Sequence, residues 1–108
     1  MIARVWSAEA TPDNAPAYAA HLRAQVIPQL QEIAGYAGSM LLERAASGTV
    51  EILVITYWES MDAIQRFAGS GSEQAVVAND AAAVLTRFNP QVRHYTVSAQ
   101  DGRWIPQM

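Results

Sequence analysis

Apolar positions at the start of the chain alternate. Ile2, Arg4 and Trp6 fall on one side and Ala3, Val5 and Ser7 on the other, which is the two-residue period of a strand over residues 1–8. "TPDN" follows, where Asp13 or Asn14 can cap a helix. From about Ala15 to Ile33 the period changes. Tyr18, Leu22, Val26, Leu30 and Ile33 recur at spacings of four and three and predict one helical stripe. Pro28 lies inside it and must kink or interrupt the helix, since it has no N–H to donate and its ring crowds the preceding turn. Gly35 is placed to end the helix.

"SMLLERAA" and "TVEILVITYW" flank Ser47–Gly48, and two strand-like runs around a short Gly-containing link predict a hairpin. Ser60 is a cap for a short helix whose apolar face is Ala63, Ile64 and Phe67. "AGSGS" at 68–72 breaks that helix, and a second helical stretch is predicted from about Glu73 to Phe88, stopped by Asn89–Pro90. "VRHYTVSA", 92–99, reads as a last strand. The predicted order is βαββαβ: an α+β, ferredoxin-like domain over 1–99, with two helices on one face of a four-stranded antiparallel sheet and a tail at 100–108.

A sheet covered on one side only should alternate apolar and polar residues. The third predicted strand does not. Ile52, Val54, Thr56 and Trp58 lie on one face, and Leu53, Ile55 and Tyr57 on the other. Leu41 and Leu42 repeat the pattern on the second strand. Two helices cannot cover both faces, so the second face is expected to meet another copy of the chain, giving a homodimer joined through its sheets.

Composition narrows the function classes. With 108 residues the chain is one domain, and at 51% hydrophobic it is too apolar for disorder. A net charge of −3 argues against a nucleic-acid partner. The absence of Cys removes disulfides, thiolate metal sites and thiol catalysis. The N-terminus lacks the pattern of a signal peptide, and no apolar run reaches the length of a membrane span, so a cytoplasmic location is expected.

The chemistry-bearing residues are few. His94, on the last strand, and His21, at the edge of the first helical stripe, can act as acid or base near neutral pH. The plain alternatives are a His bonded within the sheet and a half-exposed helix His. No spacing supports a metal site. Trp6, Tyr57, Trp58 and Phe67 can line an apolar cavity or fill the core, with the core the plainer reading for Tyr57 and Phe67. Arg4, among apolar neighbours, must find a carboxylate, reach water or meet an anionic ligand. Its ordinary partner would be Glu43 or Glu51. "GSGS" at 69–72 lacks the Lys of a phosphate loop and reads as a break between helical pieces that can act as a flap.

The order of elements, with "AGYAGSMLLER", "YWESMDAIQRFAG", "EQAV" and "VRHYTV", resembles the dimeric α+β-barrel proteins of the antibiotic biosynthesis monooxygenase type over about residues 1–98. That resemblance implies a pocket between sheet and helices in each subunit, subunits joined through their sheets, and a small aromatic or polyketide-like ligand. It implies a cofactor-free monooxygenase with His94 or His21 as base and Trp58, Trp6, Arg4 and Phe67 around the substrate, or else a non-catalytic binding or stress-response module of the same fold. Trp58 matches the family's Trp at this strand end. Catalytic members resembling this chain carry an Asn where it has Val54, and haem-degrading members carry the iron-ligating His where it has Val77. No haem is expected, because the axial imidazole is absent from that position. The tail's Trp104 is expected to dock on the partner.

Overall fold

The computed structural model describes residues 1–102, so Trp104 and the rest of the tail lie outside the described residues. Strand β1, Ile2–Ala10, leads into α1, Ala15–His21. A π turn over Leu22–Val26 and α2, Ile27–Gln31, continue the same rod. Strands β2, Tyr36–Ala46, and β3, Thr49–Trp58, form the hairpin, and α3 spans Met61–Ala68. The chain ends in α4, Asn79–Val84, then β4, Arg87–Phe88, and β5, Arg93–Thr96.

The sheet runs β2-β3-β1, and β4 and β5 share the remaining edge of β1, all antiparallel. This is the ferredoxin-like order with its last position filled by two short strands. β5 pairs with Ile2–Val5 and β4 with Ala8–Glu9. The break falls at Pro90. Asn89 still donates to Ser7 O at 3.0 Å, but Pro90 has no N–H to continue the ladder.

The expected helix over Glu73–Phe88 is corrected to α4 alone. Residues 69–78 give their backbone groups to the segment after Pro90 instead. Ala75 N donates to Pro90 O at 2.9 Å, Val92 N donates to Glu73 O at 2.8 Å, and Gln74 bridges Gln91. After α4, Thr86 N donates to Glu9 O at 2.8 Å and draws the chain into the sheet before Phe88.

The first helix is interrupted ahead of Pro28 by the π turn, closed by Ile27 N–H on Leu22 O. Steps of four residues turn an ideal α-helix by about 400°, so Tyr18, Leu22, Val26 and Leu30 would drift about 120° around it. The wider turn takes up that drift and keeps Leu22, Val26 and Leu30 facing the sheet. Ser60 caps α3, its Oγ accepting from Ala63 N at 3.2 Å. Ser47 and Gly48 both have positive φ, 49° and 80°, as a two-residue hairpin turn requires.

Gly35 lets the helical layer approach α3. Its φ is +94°, and a Cβ there would lie 2.5 Å from Ala63 Cβ. Gly35→Ala is therefore expected to cost about 2–3 kcal/mol from backbone strain and overpacking together, read as a lower midpoint in urea unfolding. An unchanged midpoint would show that α3 can step aside at no cost.

The sheet's two faces are both apolar. Trp6, Ala8, Ile52, Val54 and Trp58 are buried under the helices. On the other face Val5, Met40, Leu53, Ile55 and Tyr57 are only half buried, while Leu42 is 46% and Tyr95 50% exposed. Beneath the helices the core divides in two. One cluster centres on Trp6, Tyr18, Leu22, Ile52 and Val54, and the other on Leu30, Trp58, Ala63 and Ile64, with Val26 packed against both. No described helix is long and apolar enough to cross a membrane.

Candidate functional site

Between the helix side of the sheet and the rod from α1 to α2 lies a partly open cavity of about 70 Å³. Trp6 and Val54 line its floor, Tyr18, Leu22, Val26 and Leu30 its helical wall, and Ala75 to Ala78 its roof, with Phe67, Ala81 and Val92 at the sides. A single water needs about 10–15 Å³, and small-molecule sites usually run to about 300–1,000 Å³. At this size the cavity holds a few waters, and a larger ligand has to displace the roof. That movement must break the bonds that hold residues 72–75, from Arg4 to Ser72 O and Gln74 O and from Ala75 N to Pro90 O.

Arg4, His21 and Thr56, with the Tyr18 hydroxyl, interrupt the apolar wall. Arg4 comes from β1, directly opposite Thr56 on β3 and His94 on β5. It is only 4% exposed. Its Nη1 donates to Ser72 O, its Nη2 donates to Gln74 O at 2.9 Å, and its Cζ lies 5.7 Å from the Phe67 ring centroid. The expected partnership with Glu43 or Glu51 is corrected. Glu51 sits opposite Glu9 at the far end of β1 and accepts from Arg44 Nε at 2.6 Å, while Glu43 is exposed. Among the described residues no carboxylate pairs with Arg4.

His94 Nε2 lies 3.0 Å from Arg4 Nη1. A guanidinium only donates, so this nitrogen accepts and the ring is neutral with its proton on Nδ1. Burial, and then the Arg4 charge, lower the His94 pKa below its usual 6.5, against a smaller opposing pull from Glu73. The lone pair needed by a base is occupied, and the cavity lining includes His21 rather than His94.

His21 is differently placed. Its ring centroid is 6.4 Å from that of Tyr18, and its Nε2 is buried without a hydrogen-bond partner among the described residues. Burial pushes the Tyr18 phenol up to about 12, so it stays protonated at neutral pH. Trp6 faces the cavity while its Nε1 donates to Asn89 O at 2.8 Å. Trp58 stands one layer behind. It is fully buried, stacks on Phe67 at 5.8 Å, meets Tyr36 edge-on at 5.4 Å, and its Nε1 donates to Thr56 Oγ1 at 2.8 Å.

The structure thus gathers Arg4, His21, Trp6 and Phe67 around one cavity, sets His94 behind Arg4, and sets Trp58 behind Thr56 and Phe67. Sequence reading passed over Thr56. Its signal was a lone hydroxyl on the apolar face that also carries Val54 and Trp58. Tyr18 and the roof residues carried no such signal.

A family model described as antibiotic biosynthesis monooxygenase matches residues 1–79. No curated protein matches the chain in sequence. Among solved structures, a candidate antibiotic biosynthesis monooxygenase of Bacillus cereus superposes with a TM-score of 0.68 at 14% identity, over 95% of this chain and 96% of that one. A monooxygenase of Streptomyces coelicolor in complex with nanaomycin D gives 0.63 at 15% identity, over 98% and 92%. The haem degrader MhuD of Mycobacterium tuberculosis, with two haems in its active site, gives 0.61 at 23% identity, over 94% and 100%. At these identities the likeness is one of fold.

Proposed function

The chain belongs to the antibiotic biosynthesis monooxygenase family, and from that premise we propose that it admits a small polyketide-like aromatic molecule to its cavity and oxidises it with O₂ without a cofactor. The observation that carries this reading is a mostly apolar cavity lined in part by His21, whose Nε2 is buried and has no hydrogen-bond partner among the described residues. Such a nitrogen accepts a proton from a phenol seated against it. The phenolate is electron-rich enough to reduce O₂. For a phenol with a free para carbon, one oxygen atom becomes the second carbonyl of a quinone. The other leaves as water with the phenolic and para hydrogens. Trp58 serves this site through Thr56 and Phe67, without touching the ligand. Nanaomycin D, held by the Streptomyces coelicolor neighbour, supports the choice of a planar polyketide.

Haem fits the residues poorly. Val77, which lines the cavity, offers iron no ligand. One observation favours a non-catalytic binding module instead. Val54, also in the cavity wall, cannot hydrogen-bond a substrate oxygen. The second sheet face supports a homodimer, since its half-buried apolar side chains lie in a continuous patch.

Oxygen uptake with a panel of naphthols and anthrones tests the reaction. His21→Leu is expected to lower turnover about a hundredfold or more while keeping ligand affinity, the usual weight of a general base. His94→Gln should lower it far less. Binding without uptake for every phenol would give the site to the binding module, and equal turnover in His21→Leu would remove His21 as the base.

A further inference from the structure

We propose that the cavity holds its ligand with an anionic oxygen of a planar aromatic, a phenolate or a hydroxyquinone anion, seated on the Arg4 guanidinium. The inference rests on the reading of the cavity as a ligand site and adds the charge of what it holds. Arg4 is the starting point. A guanidinium almost fully withdrawn from water loses its hydration, and proteins normally restore it with a carboxylate. Here none of the described carboxylates pairs with it. Its neighbours are two backbone carbonyls, the neutral His94 ring and the face of Phe67. Each offers a partial negative charge and none a whole one.

Both carbonyls belong to the segment that leads into the roof. Ser72 and Gln74 stand just before Ala75, the first roof residue, and Arg4 itself lines the cavity. An anionic oxygen seated there replaces weaker acceptors with a charge-assisted, two-pronged contact. It also releases the bonds that tie 72–74 to the floor, which is the movement a ligand larger than the closed cavity requires. The Phe67 ring lies against the guanidinium, 5.7 Å from Cζ to its centroid, so a coplanar partner can take the place of the carbonyls at the guanidinium edge. Arg4 thus couples recognition of charge to opening of the roof. His94 keeps the guanidinium in position by accepting from Nη1. In this reading Arg4 is the residue that sets ligand class.

Two probes of nearly equal shape separate charge from fit. 2-Hydroxy-1,4-naphthoquinone is ionised at neutral pH, and its 2-methoxy ether is not. Titration calorimetry on the full-length wild-type protein is expected to show the hydroxy compound bound about tenfold or more tightly than the ether, the worth of one charged hydrogen bond. Arg4→Gln should erase that preference, and Arg4→Lys should keep part of it. Arg66→Gln, which alters an exposed arginine bonded to Ala34 O, should keep all of it. Equal affinity of wild type for the two probes overturns the anion subsite and leaves the cavity standing as an apolar ligand site. A preference lost in Arg66→Gln but kept in Arg4→Gln overturns it as well. Binding of neither probe removes the ligand-site reading and this inference with it. The wild-type comparison decides the matter even if Arg4→Gln fails to fold.

Discussion

Trp58→Ala is expected to lower the unfolding free energy by about 3–5 kcal/mol, the usual cost of removing a large buried aromatic. Trp58 is fully buried and sits at the centre of the cluster with Leu30, Ala63 and Ile64. It also holds two rings in place, Phe67 stacked at 5.8 Å and Tyr36 edge-on at 5.4 Å. Alanine leaves a cavity that three secondary elements would have to collapse into, and β3 cannot move without breaking pairs with both β1 and β2. Trp58→Phe keeps most of the volume and loses only the donor to Thr56 Oγ1, so it should cost about 1–2 kcal/mol. Urea unfolding of the two variants measures this directly. A Trp58→Ala protein within about 1 kcal/mol of wild type would mean that the ring is not part of the core.

Ile55→Arg is expected to turn a dimer into a monomer with its cavity intact. Ile55 lies in the middle of the uncovered face, between Val5 on β1 and Met40 on β2 in register, with Leu53 and Tyr57 before and after it. Each such side chain is worth about 1.5–3 kcal/mol when fully buried, which is more than a domain of this size gives up readily. In a two-fold interface the substitution appears twice, and an unpaired buried charge costs about 3–5 kcal/mol. Dimer affinity should therefore fall on the order of a hundredfold or more. Sedimentation at micromolar concentration should show a dimer for wild type and a monomer for Ile55→Arg. A wild-type monomer would mean that the face stays open to water and that the two-sided pattern of β3 has another cause.

Features set by near neighbours in the chain were legible in the sequence. The hairpin at Ser47–Gly48, the Ser60 cap and the two apolar faces of β3 each depend on residues a few positions apart. The opposite facing of Tyr57 and Trp58 follows from the same period. Features set by distant partners were not legible. Helical propensity over 73–88 lost to bonds with Pro90 and Val92, and no local pattern announces such a competitor. Arg4 was recognisable as a residue needing an explanation, but its neighbours depend on register. A one-residue shift of β1 against β5 would have placed His94 on the outer face. The π turn had a signal in the run of four-residue steps, which an α-helix alone cannot keep on one side. Trp58 and Thr56 share a face, and only packing depth decides which of them meets the cavity.

The division of the core bears on how the molecule can adapt. The cavity runs along the boundary between the two clusters, with Trp6, Tyr18 and Leu22 on one bank and Leu30 and Phe67 on the other, and Val26 shared by both. A guest lodged there touches both clusters, and its size is set by how far the roof, packed on the first of them through Ala75 and Val77, can lift. Substitutions at Val26 alone, smaller or larger, would then retune the breadth of accepted guests, at the cost of repacking a side chain that both clusters share. Selectivity and robustness meet in such a molecule at one side chain.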